Sequence, residues 1–310
     1  MLDTISDIYV DQVRLLLRVL PLVAQEDAFA LKGGTAINLF ERNLPRLSVD
    51  IDLTYLPFDE RGVALASIKA ALTRVKSKAE QSIAGITVTL VKQGDGTEAK
   101  LHCQYRRAQI KIEVNTIMRG HIAPPRLMAC TANVQTRFEA FVEMPVVSKG
   151  ELYGGKICAA LDRQHPRDLF DVKHLLDDEG LTPATKHGMI AGLISHPRPI
   201  NEVLFPALHD RRAMFEVQFA GMAFEPFTYD DYLATRLRLN DAIRSALTAE
   251  DKFFLLSFKA GEPDWSLFDI PDLSRLPAVQ WKLANIRKFK TSNADKHAAL
   301  LAALTERLNA

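Results

Sequence analysis

Two aspartates, Asp50 and Asp52, lie one residue apart within an apolar stretch of the chain. Side chains alternate between the two faces of a β-strand, so both carboxylates are expected on one face while Val49, Ile51 and Leu53 point into the core. Two like charges this close repel each other unless a cation lies between them, and carboxylate oxygens suit Mg²⁺ or Mn²⁺. The spacing therefore predicts a metal site on a strand, and the alternative is a strand end that reaches solvent.

A glycine pair, Gly33 and Gly34, lies upstream and is followed by Thr35. Glycine allows a backbone to approach phosphates closely, and the amide N–H groups at the start of a helix bind them. The Thr35 hydroxyl suits either a phosphate or a helix cap. Ser48 lies two residues before Asp50 and is expected on the same face, as a phosphate contact, a target of inactivating modification or an ordinary strand serine. Metal and phosphate sites together indicate nucleotide chemistry.

A third acidic residue lies on another predicted strand, at 108–117. Its apolar side chains share one face, namely Ile110, Ile112 and Val114. Lys111, Glu113 and Asn115 are therefore expected together on the other face. Phosphoryl transfer with two metal ions commonly uses a third carboxylate, so Glu113 is the predicted third ligand. The alternatives are a solvated Glu113 and an Asn115 that contacts the nucleotide.

A second polar block follows more than a hundred residues after the aspartate pair. Four of its residues have the spacing of one helical stripe: Lys156, Ala160, Arg163 and Arg167. Pro166 interrupts the stripe, so Arg163 is expected to end one helix and Asp168 to lie in the first turn of the next, near its positive end. Lys156, a compact cation, is the predicted triphosphate ligand, with Arg163 as a further nucleotide contact. Asp168 and Asp171 are expected to orient these cations or to assist the acceptor hydroxyl, and a structural salt-bridge network is the alternative.

The 310-residue chain is 47% apolar and 25% charged, as in an ordinary soluble globular protein. It has no membrane-length apolar run and no basic leader, so a cytoplasmic location without a membrane partner is expected. A net charge of only +1 means that any nucleic acid must be held by a local basic patch. One candidate RNA-binding patch lies near the C-terminus, and a solvated helix face explains it equally well; it comprises Lys282, Arg287, Lys288 and Lys290.

The hydrophobic pattern predicts an α/β core followed by a mainly helical lobe. Helices are predicted over 5–25, 35–42 and 62–84, and strands over 28–31, 49–55, 86–92, 99–105 and 108–117. The lobe boundary is placed near Ser148, which gives domains of 1–147 and 148–310. Cys103, Cys130 and Cys158 form an odd count without metal-ligand spacing, and they are predicted to be reduced, buried thiols.

The two motif blocks resemble those of the AbiEii/AbiGii toxin family within the polymerase β nucleotidyltransferase superfamily. That family has a Gly-Gly-Thr helix start and then Arg-x-Ser-x-Asp-Ile-Asp-Leu, found here as Arg46 to Leu53. Its later Lys…Arg-x-x-x-Arg-Asp-x-x-Asp segment is matched by Lys156, Arg163, Arg167, Asp168 and Asp171. The resemblance covers residues 28 to 180 well and is weak beyond. It implies an α/β (α+β) fold, with a polymerase β-type core and a mainly helical C-terminal lobe.

The resemblance also implies a Mg²⁺-dependent nucleotidyltransferase that takes an NTP, transfers the nucleoside monophosphate to an acceptor hydroxyl and releases pyrophosphate. The residues and the resemblance together predict catalysis by Asp50, Asp52, Lys156 and Asp168, nucleotide binding by Gly33, Gly34, Thr35, Ser48, Lys156 and Arg163, and metal binding by Asp50, Asp52 and Glu113. Glu113 rests on the strand pattern alone, since the superfamily more often uses aspartate at the third position. The implied partners are an RNA acceptor, namely the tRNA 3′ end, and a separately encoded AbiEi-like antitoxin in a phage-defence system. Two alternatives stay open, a nucleotidyltransferase that modifies small molecules such as antibiotics, and a non-catalytic nucleotide-binding or partner-binding module.

Overall fold

The computed structural model describes residues 5–92, 96–268 and 270–309. The chain divides into two compact units. The first comprises Met1–Ser148 and Phe215–Phe227, and the second comprises Lys149–Met214 and Thr228–Ala310. A short segment from the second half of the chain, 215–227, therefore belongs to the unit that the first half forms.

The first unit is built on a mixed seven-stranded sheet. Its strands are Phe29–Lys32 (β1), Asp50–Tyr55 (β2), Thr87–Lys92 (β3), Glu98–Tyr105 (β4), Ala108–Asn115 (β5), Arg126–Ala129 (β6) and Glu143–Val146 (β7). Their order across the sheet is β3-β4-β5-β2-β1-β7-β6. Strand β2 is antiparallel to β1 and parallel to β5, so it has a hydrogen-bonded neighbour on both sides. The aspartate pair thus lies on a central strand.

Four helical segments accompany this sheet: Asp7–Val23 (α1), Gly33–Ala36 (α2) continued by a π-helical turn over Ile37–Glu41, Arg61–Ser82 (α3) and Ala132–Phe138 (α4). The helix predicted over 35–42 begins two residues earlier, at Gly33, and ends as the π-turn. Asn38 lies in that turn, and its side chain donates a hydrogen bond to the carbonyl oxygen of Gly34 at 2.9 Å. This bond competes for an acceptor of the regular helical ladder, and no spacing in the sequence signals it.

The regular elements among the described residues of the second unit are all helices. Its helices are Lys149–Arg163 (α5), Pro166–Asp178 (α6), Pro183–Ser195 (α7), Ile200–Leu204 (α8), Arg212–Gln218 (α9, which continues into the first unit), Tyr229–Ala246 (α10), Ala249–Lys259 (α11), Pro277–Ser292 (α12) and Ala294–Asn309 (α13). Prolines begin α6, α7 and α12, where a missing N–H costs nothing. Thr228 and Thr248 form capping boxes at α10 and α11. None of the helices in the described ranges is long and apolar enough to span a membrane.

The three cysteines, Cys103, Cys130 and Cys158, are free and buried, as predicted. Burial raises the pKa of the Cys103 and Cys158 thiols to about 12. Both thiols are therefore protonated at neutral pH, and they act as small apolar side chains in the packing.

Helices α5 and α7 cross with their backbones in direct contact. A Cβ atom on Gly154 would overlap the carbonyl carbon of Gly188, and one on Gly188 would overlap the carbonyl oxygen of Gly150. Glycine is required at this crossing because no side chain fits between the two backbones. The crossing fixes α5, the helix that carries Lys156.

We expect Gly154→Ala to lower the free energy of unfolding by at least about 1–3 kcal/mol, because the added methyl group forces the two helices apart. Gly155 is the matched control, since a Cβ atom on this neighbouring glycine meets nothing within 4 Å. Gly155→Ala should raise the stability by about 0.5–1 kcal/mol through helix propensity. Denaturant unfolding of both variants checks this, and a Gly154→Ala variant as stable as Gly155→Ala would contradict the close crossing.

Candidate active site

The alternation predicted for the aspartate strand is confirmed. Asp50 and Asp52 are half-buried on one face of β2, while Ile51 and Leu53 are fully buried on the other. Val49 lies before the strand and is half-buried, so the core contact predicted for it is weaker than that of Ile51. Strand β2 thus presents two carboxylates from a rigid backbone.

Glu113 lies beside this pair because of the register between β2 and β5. Asp52 is opposite Glu113 and Asp50 is opposite Lys111. Directly opposite residues point to the same face of a sheet, so Glu113 shares the face of the two aspartates. Along β5 the apolar residues are buried and Lys111, Glu113 and Asn115 are not, as the sequence predicts.

Each of the three carboxylates has a lysine at the same level on a neighbouring strand. Lys111 on β5 lies opposite Asp50, and Lys32 on β1 lies opposite Asp52. On β4 the residue opposite Glu113 is Lys100. Its ammonium forms an ion pair with the Glu113 carboxylate. The face therefore carries three acidic and three basic side chains, of which Glu113 and Lys100 form an ion pair.

Two of these lysines were missed by the sequence interpretation. Lys32 lies between the strand predicted over 28–31 and Gly33. This position next to the glycine pair could have identified it as a site residue. Lys100 belongs to a hairpin strand, and only the strand register places it beside Glu113.

Carboxylate oxygens are suitable donors for Mg²⁺ or Mn²⁺, and the Asp50 and Asp52 side chains are accessible enough to bind an ion. In the described part of the chain, however, no three His, Cys, Asp or Glu side chains are already gathered as a metal-holding group. Glu113 is engaged by Lys100, so a ligand set of three requires this ion pair to open. The metal-binding roles stay predictions.

The glycine pair packs directly against the aspartate strand. Gly33 has a φ of +73°, and a Cβ atom on it would overlap Oδ2 of Asp52. A Cβ atom on Gly34 would lie 2.9 Å from both Nη2 of Arg46 and Oγ of Ser48. Both glycines are therefore required by space, and Gly33 also by its backbone conformation.

Buried polar contacts tie the same turn to the start of β2. The Thr35 hydroxyl donates to the carbonyl oxygen of Asp50 at 2.5 Å and lies 3.1 Å from the Ser48 hydroxyl. Arg46, only 2% exposed, donates from Nη1 to the Leu47 carbonyl at 2.8 Å. Thr35 does not cap the helix, since the residue at the N-cap is Lys32. Thr35 and Ser48 instead fix the position of the turn, and their phosphate contacts stay predictions.

The loop before β2 is also held by segment 215–227. The amide of Leu47 donates to the Met222 carbonyl at 2.7 Å, and the amide of Phe224 donates to the Pro45 carbonyl at 2.9 Å. Phe224 in turn lies under the Arg137 guanidinium, 4.2 Å from the ring centroid. Both sides of Arg46 are thus fixed by backbone hydrogen bonds.

The second motif block lies in the second unit, at the α5–α6 turn. Arg163 ends α5 and Pro166 begins α6, so the predicted break is confirmed. The Nδ1 atom of His165 accepts the Arg167 amide at 3.1 Å and caps α6. Asp168 lies in the first turn of α6, as expected for a carboxylate near the positive end of a helix.

These helices bury an ion-pair network. Nζ of Lys156 lies 2.9 Å from Oδ1 of Asp168 and 2.9 Å from Oδ2 of Asp171. Arg163 donates to both oxygens of Asp168, from Nε at 2.6 Å and Nη2 at 3.0 Å. Both aspartates are 1% exposed, whereas the Arg163 side chain is 61% exposed.

Charge pairing keeps Asp168 ionised. Burial alone raises the pKa of Asp168, but Lys156 and Arg163 outweigh it and hold the pKa well below its usual range. The Lys156 ammonium lies between two buried carboxylates, which favours a structural role. A contact between Lys156 and a triphosphate stays a prediction, and it requires the ammonium to leave this network.

The predicted RNA patch on α12 is wrong at Lys282. This side chain is buried, and its ammonium donates to the carbonyl oxygens of Leu193 at 2.7 Å and Arg198 at 2.9 Å. Burial lowers the pKa of Lys282 to about 7. Lys290 is paired with Glu262 at 2.7 Å. The Lys282 ammonium satisfies two buried carbonyl oxygens. The spacing of the basic residues on α12 does not indicate this role.

We expect Lys156→Ala to lower the free energy of unfolding by about 3–5 kcal/mol, because it leaves two buried carboxylates without their shared cation. Lys173→Ala is the matched control, since Lys173 forms a partly exposed i,i+4 pair with Asp177 at 2.7 Å. That variant should lose less than about 1 kcal/mol. Thermal and denaturant unfolding of the two variants decide it, and equal losses would show that the Lys156 network does not stabilise the fold.

The fold is similar to that of a solved bacterial toxin. The structure matches the nucleotidyltransferase toxin MenT4 from Mycobacterium tuberculosis with a TM-score of 0.59 and 17% sequence identity, over 90% of this chain and 92% of that chain. At this identity the likeness establishes the fold, and the mixed α/β nucleotidyltransferase architecture predicted from sequence is confirmed. No curated protein matches the sequence.

A family model carries the assignment further. The model described as nucleotidyl transferase AbiEii toxin, type IV toxin–antitoxin system, matches residues 14–285. This range includes the glycine pair, the aspartate strand and the α5–α6 network. The chain therefore belongs to the AbiEii family of nucleotidyltransferase toxins of type IV toxin–antitoxin systems.

Proposed function

We propose that this toxin transfers a nucleoside monophosphate from an NTP to a hydroxyl of an RNA acceptor, the 3′ end of tRNA, in a reaction that depends on Mg²⁺ or Mn²⁺. The observation that carries the proposal is the register of β2 and β5, which brings Asp50, Asp52 and Glu113 to one face beside the Gly33-Gly34 turn. The AbiEii family implies the NTP substrate and an antitoxin partner. A non-catalytic binding module is set aside by membership of this enzyme family.

Asp50 and Asp52 would hold the metal, with Glu113 joining them once Lys100 is displaced. When bound there, the metal supplies positive charge to the triphosphate and lowers the pKa of the acceptor hydroxyl. The acceptor oxygen forms a bond to the α-phosphorus as the bond to pyrophosphate breaks. Lys32 and Lys111 flank the two aspartates and add cations where charge develops on the phosphates.

The Gly33-Gly34 backbone is the proposed phosphate contact of the first unit. Both glycines are partly exposed, and neither has a side chain to keep a phosphate away from the amides. Thr35 and Ser48 hold this turn against β2, so its position is fixed before the nucleotide arrives.

In the second unit, Arg163 and Lys156 are the proposed nucleotide cations, and Asp168 sets their orientation. Asp168 holds the Arg163 guanidinium through two hydrogen bonds, and much of this side chain stays exposed to solvent. The planar guanidinium fork matches the geometry of a phosphate group. Lys156 contributes directly only if it leaves Asp168 and Asp171.

The biological setting follows from the family. An antitoxin of the AbiEi type, encoded separately, is the proposed restraint on the enzyme, and phage defence is the proposed context. Ser48 is 6% exposed, so modification of its hydroxyl would require the Gly34 turn to open.

We expect Asp52→Asn to reduce nucleotidyl transfer more than 100-fold and to abolish growth inhibition, because even the loss of a residue that only orients a metal ligand costs about 10- to 100-fold. The fold should survive, since removing one of two like charges relieves repulsion. Glu143→Gln is the charge-matched control, because Glu143 is an exposed carboxylate on β7. This variant should keep wild-type activity. Release of pyrophosphate measures the rate, and an Asp52→Asn variant with near wild-type transfer would contradict the assignment.

The donor and acceptor are tested by incubating the purified chain with each radiolabelled NTP, total tRNA and Mg²⁺, with and without EDTA. We expect label at the tRNA 3′ end with one or more NTPs and none with EDTA. Periodate-oxidised tRNA, which lacks the terminal hydroxyls, should stay unlabelled. Transfer to aminoglycosides with none to RNA would instead support the antibiotic-modifying alternative.

A further inference from the structure

One face of α10 carries a basic stripe. Arg236, Asn240 and Arg244 follow each other at i, i+4 and i+8, so they lie on one side of the helix. From Tyr229 to Arg244 this side extends about 22 Å, at 1.5 Å per residue. The stripe lies wholly within the second unit.

At its N-terminal end the stripe is joined by stacked arginines and tyrosines. The Arg212 guanidinium lies 4.2 Å from the centroid of the Tyr229 ring, and Tyr229 stacks on Tyr232 at 5.2 Å. The Arg236 guanidinium lies 5.6 Å from the Tyr232 centroid. Ring stacking holds these cations in place and leaves their N–H edges as donors.

At its other end the stripe borders a cavity of about 260 Å³. Leucine and isoleucine side chains form much of its lining, and three cations stand around it: Arg244, Lys252 and Arg307. No acidic residue lines it. Within residues 5–92, 96–268 and 270–309, the side chains of Arg244 and Lys252 have no hydrogen-bond or ion-pair partner. Unpaired cations around an apolar hollow fit an anion that carries a flat or apolar group.

The basic face reaches the α5–α6 turn. Nη1 of Arg236 donates to Oε1 of Gln164 at 3.2 Å and to the His209 carbonyl at 2.9 Å. Gln164 directly follows Arg163, the proposed nucleotide contact. The Asp210 carboxylate touches this face, where it accepts from the Tyr229 hydroxyl at 2.7 Å and from the Arg212 amide at 2.8 Å. A second carboxylate, Asp241, lies three residues before Arg244 on α10. A polyanion on this face would therefore pass close to the nucleotide-binding residues of the second unit.

We propose that this face, which we call the α10 track, binds the phosphate backbone of the RNA acceptor. The track is defined by five cations: Arg212, Arg236, Arg244, Lys252 and Arg307. RNA fits it because the cations neutralise phosphates, while the cavity accepts a base or a ribose. This inference rests on the proposed RNA acceptor, and it moves the proposed RNA contact from α12, where Lys282 is buried, to α10.

The test compares two double variants in tRNA binding, measured by filter binding at several salt concentrations without NTP. Arg212→Gln with Arg244→Gln removes two track charges, and neither side chain has an ion-pair partner in the described ranges. Lys92→Gln with Lys296→Gln removes two exposed charges from β3 and α13, outside the track. Each lost phosphate contact lowers the slope of log affinity against log salt by about 0.7–0.9. We expect the track variant to bind at least tenfold more weakly with a slope shallower by about 1.4–1.8, and the control to match wild type.

Wild-type slopes in the track variant would overturn the α10 track, while transfer to tRNA by the same variant at saturating RNA would leave the proposed function standing. No tRNA binding by wild type would overturn both the track and the RNA acceptor. A competition experiment with poly-glutamate completes the test. If poly-glutamate displaces tRNA at equal charge concentration, the surface recognises acidic protein and the RNA assignment is wrong. Displacement by unlabelled RNA alone would support the track.

Discussion

Gly33 places its Cα directly against the carboxylate of Asp52, and the organisation of the first unit around the site depends on this approach. A side chain at Gly33 would displace the aspartate, and one at Gly34 would press on Arg46 and Ser48. The glycine pair and the Arg-x-Ser-x-Asp-x-Asp strand are therefore two halves of one packed feature. Thr35 closes it with a hydrogen bond to the backbone of β2. This close packing explains why the two motifs occur together: neither can hold its geometry without the other.

The same face is balanced by its own lysines. Lys32, Lys111 and Lys100 lie beside Asp52, Asp50 and Glu113, each on a neighbouring strand. This arrangement lowers the mutual repulsion of the three carboxylates, since each acidic residue has a basic residue opposite it on a neighbouring strand. It also gives the metal a competitor, most directly at the Lys100–Glu113 ion pair. Binding of metal and of triphosphate should therefore support each other, because lysines released from carboxylates become available to phosphates.

The parts of the site that depend on the local geometry of one strand or one helix could be predicted from the sequence. Strand alternation placed Asp50 and Asp52 on one face, and Pro166 divided the second block into two helices. The sequence did not indicate features that depend on tertiary register or burial. The position of Lys100 beside Glu113 requires the pairing of β4 with β5, and the burial of Lys282 requires the carbonyl oxygens of Leu193 and Arg198. The identity of a basic residue does not by itself show whether it binds RNA at the surface or donates hydrogen bonds to buried carbonyl oxygens.

We propose that the β2–β5 register makes Glu113 part of one metal site with Asp50 and Asp52. Calorimetric titration of Mn²⁺ into wild type and Glu113→Gln, without nucleotide, tests it most directly, because the readout does not depend on catalysis. We expect Glu113→Gln to bind Mn²⁺ at least about tenfold more weakly than wild type, because one of the three carboxylate ligands is lost. Mn²⁺ binding by Glu113→Gln with wild-type affinity and stoichiometry would contradict it.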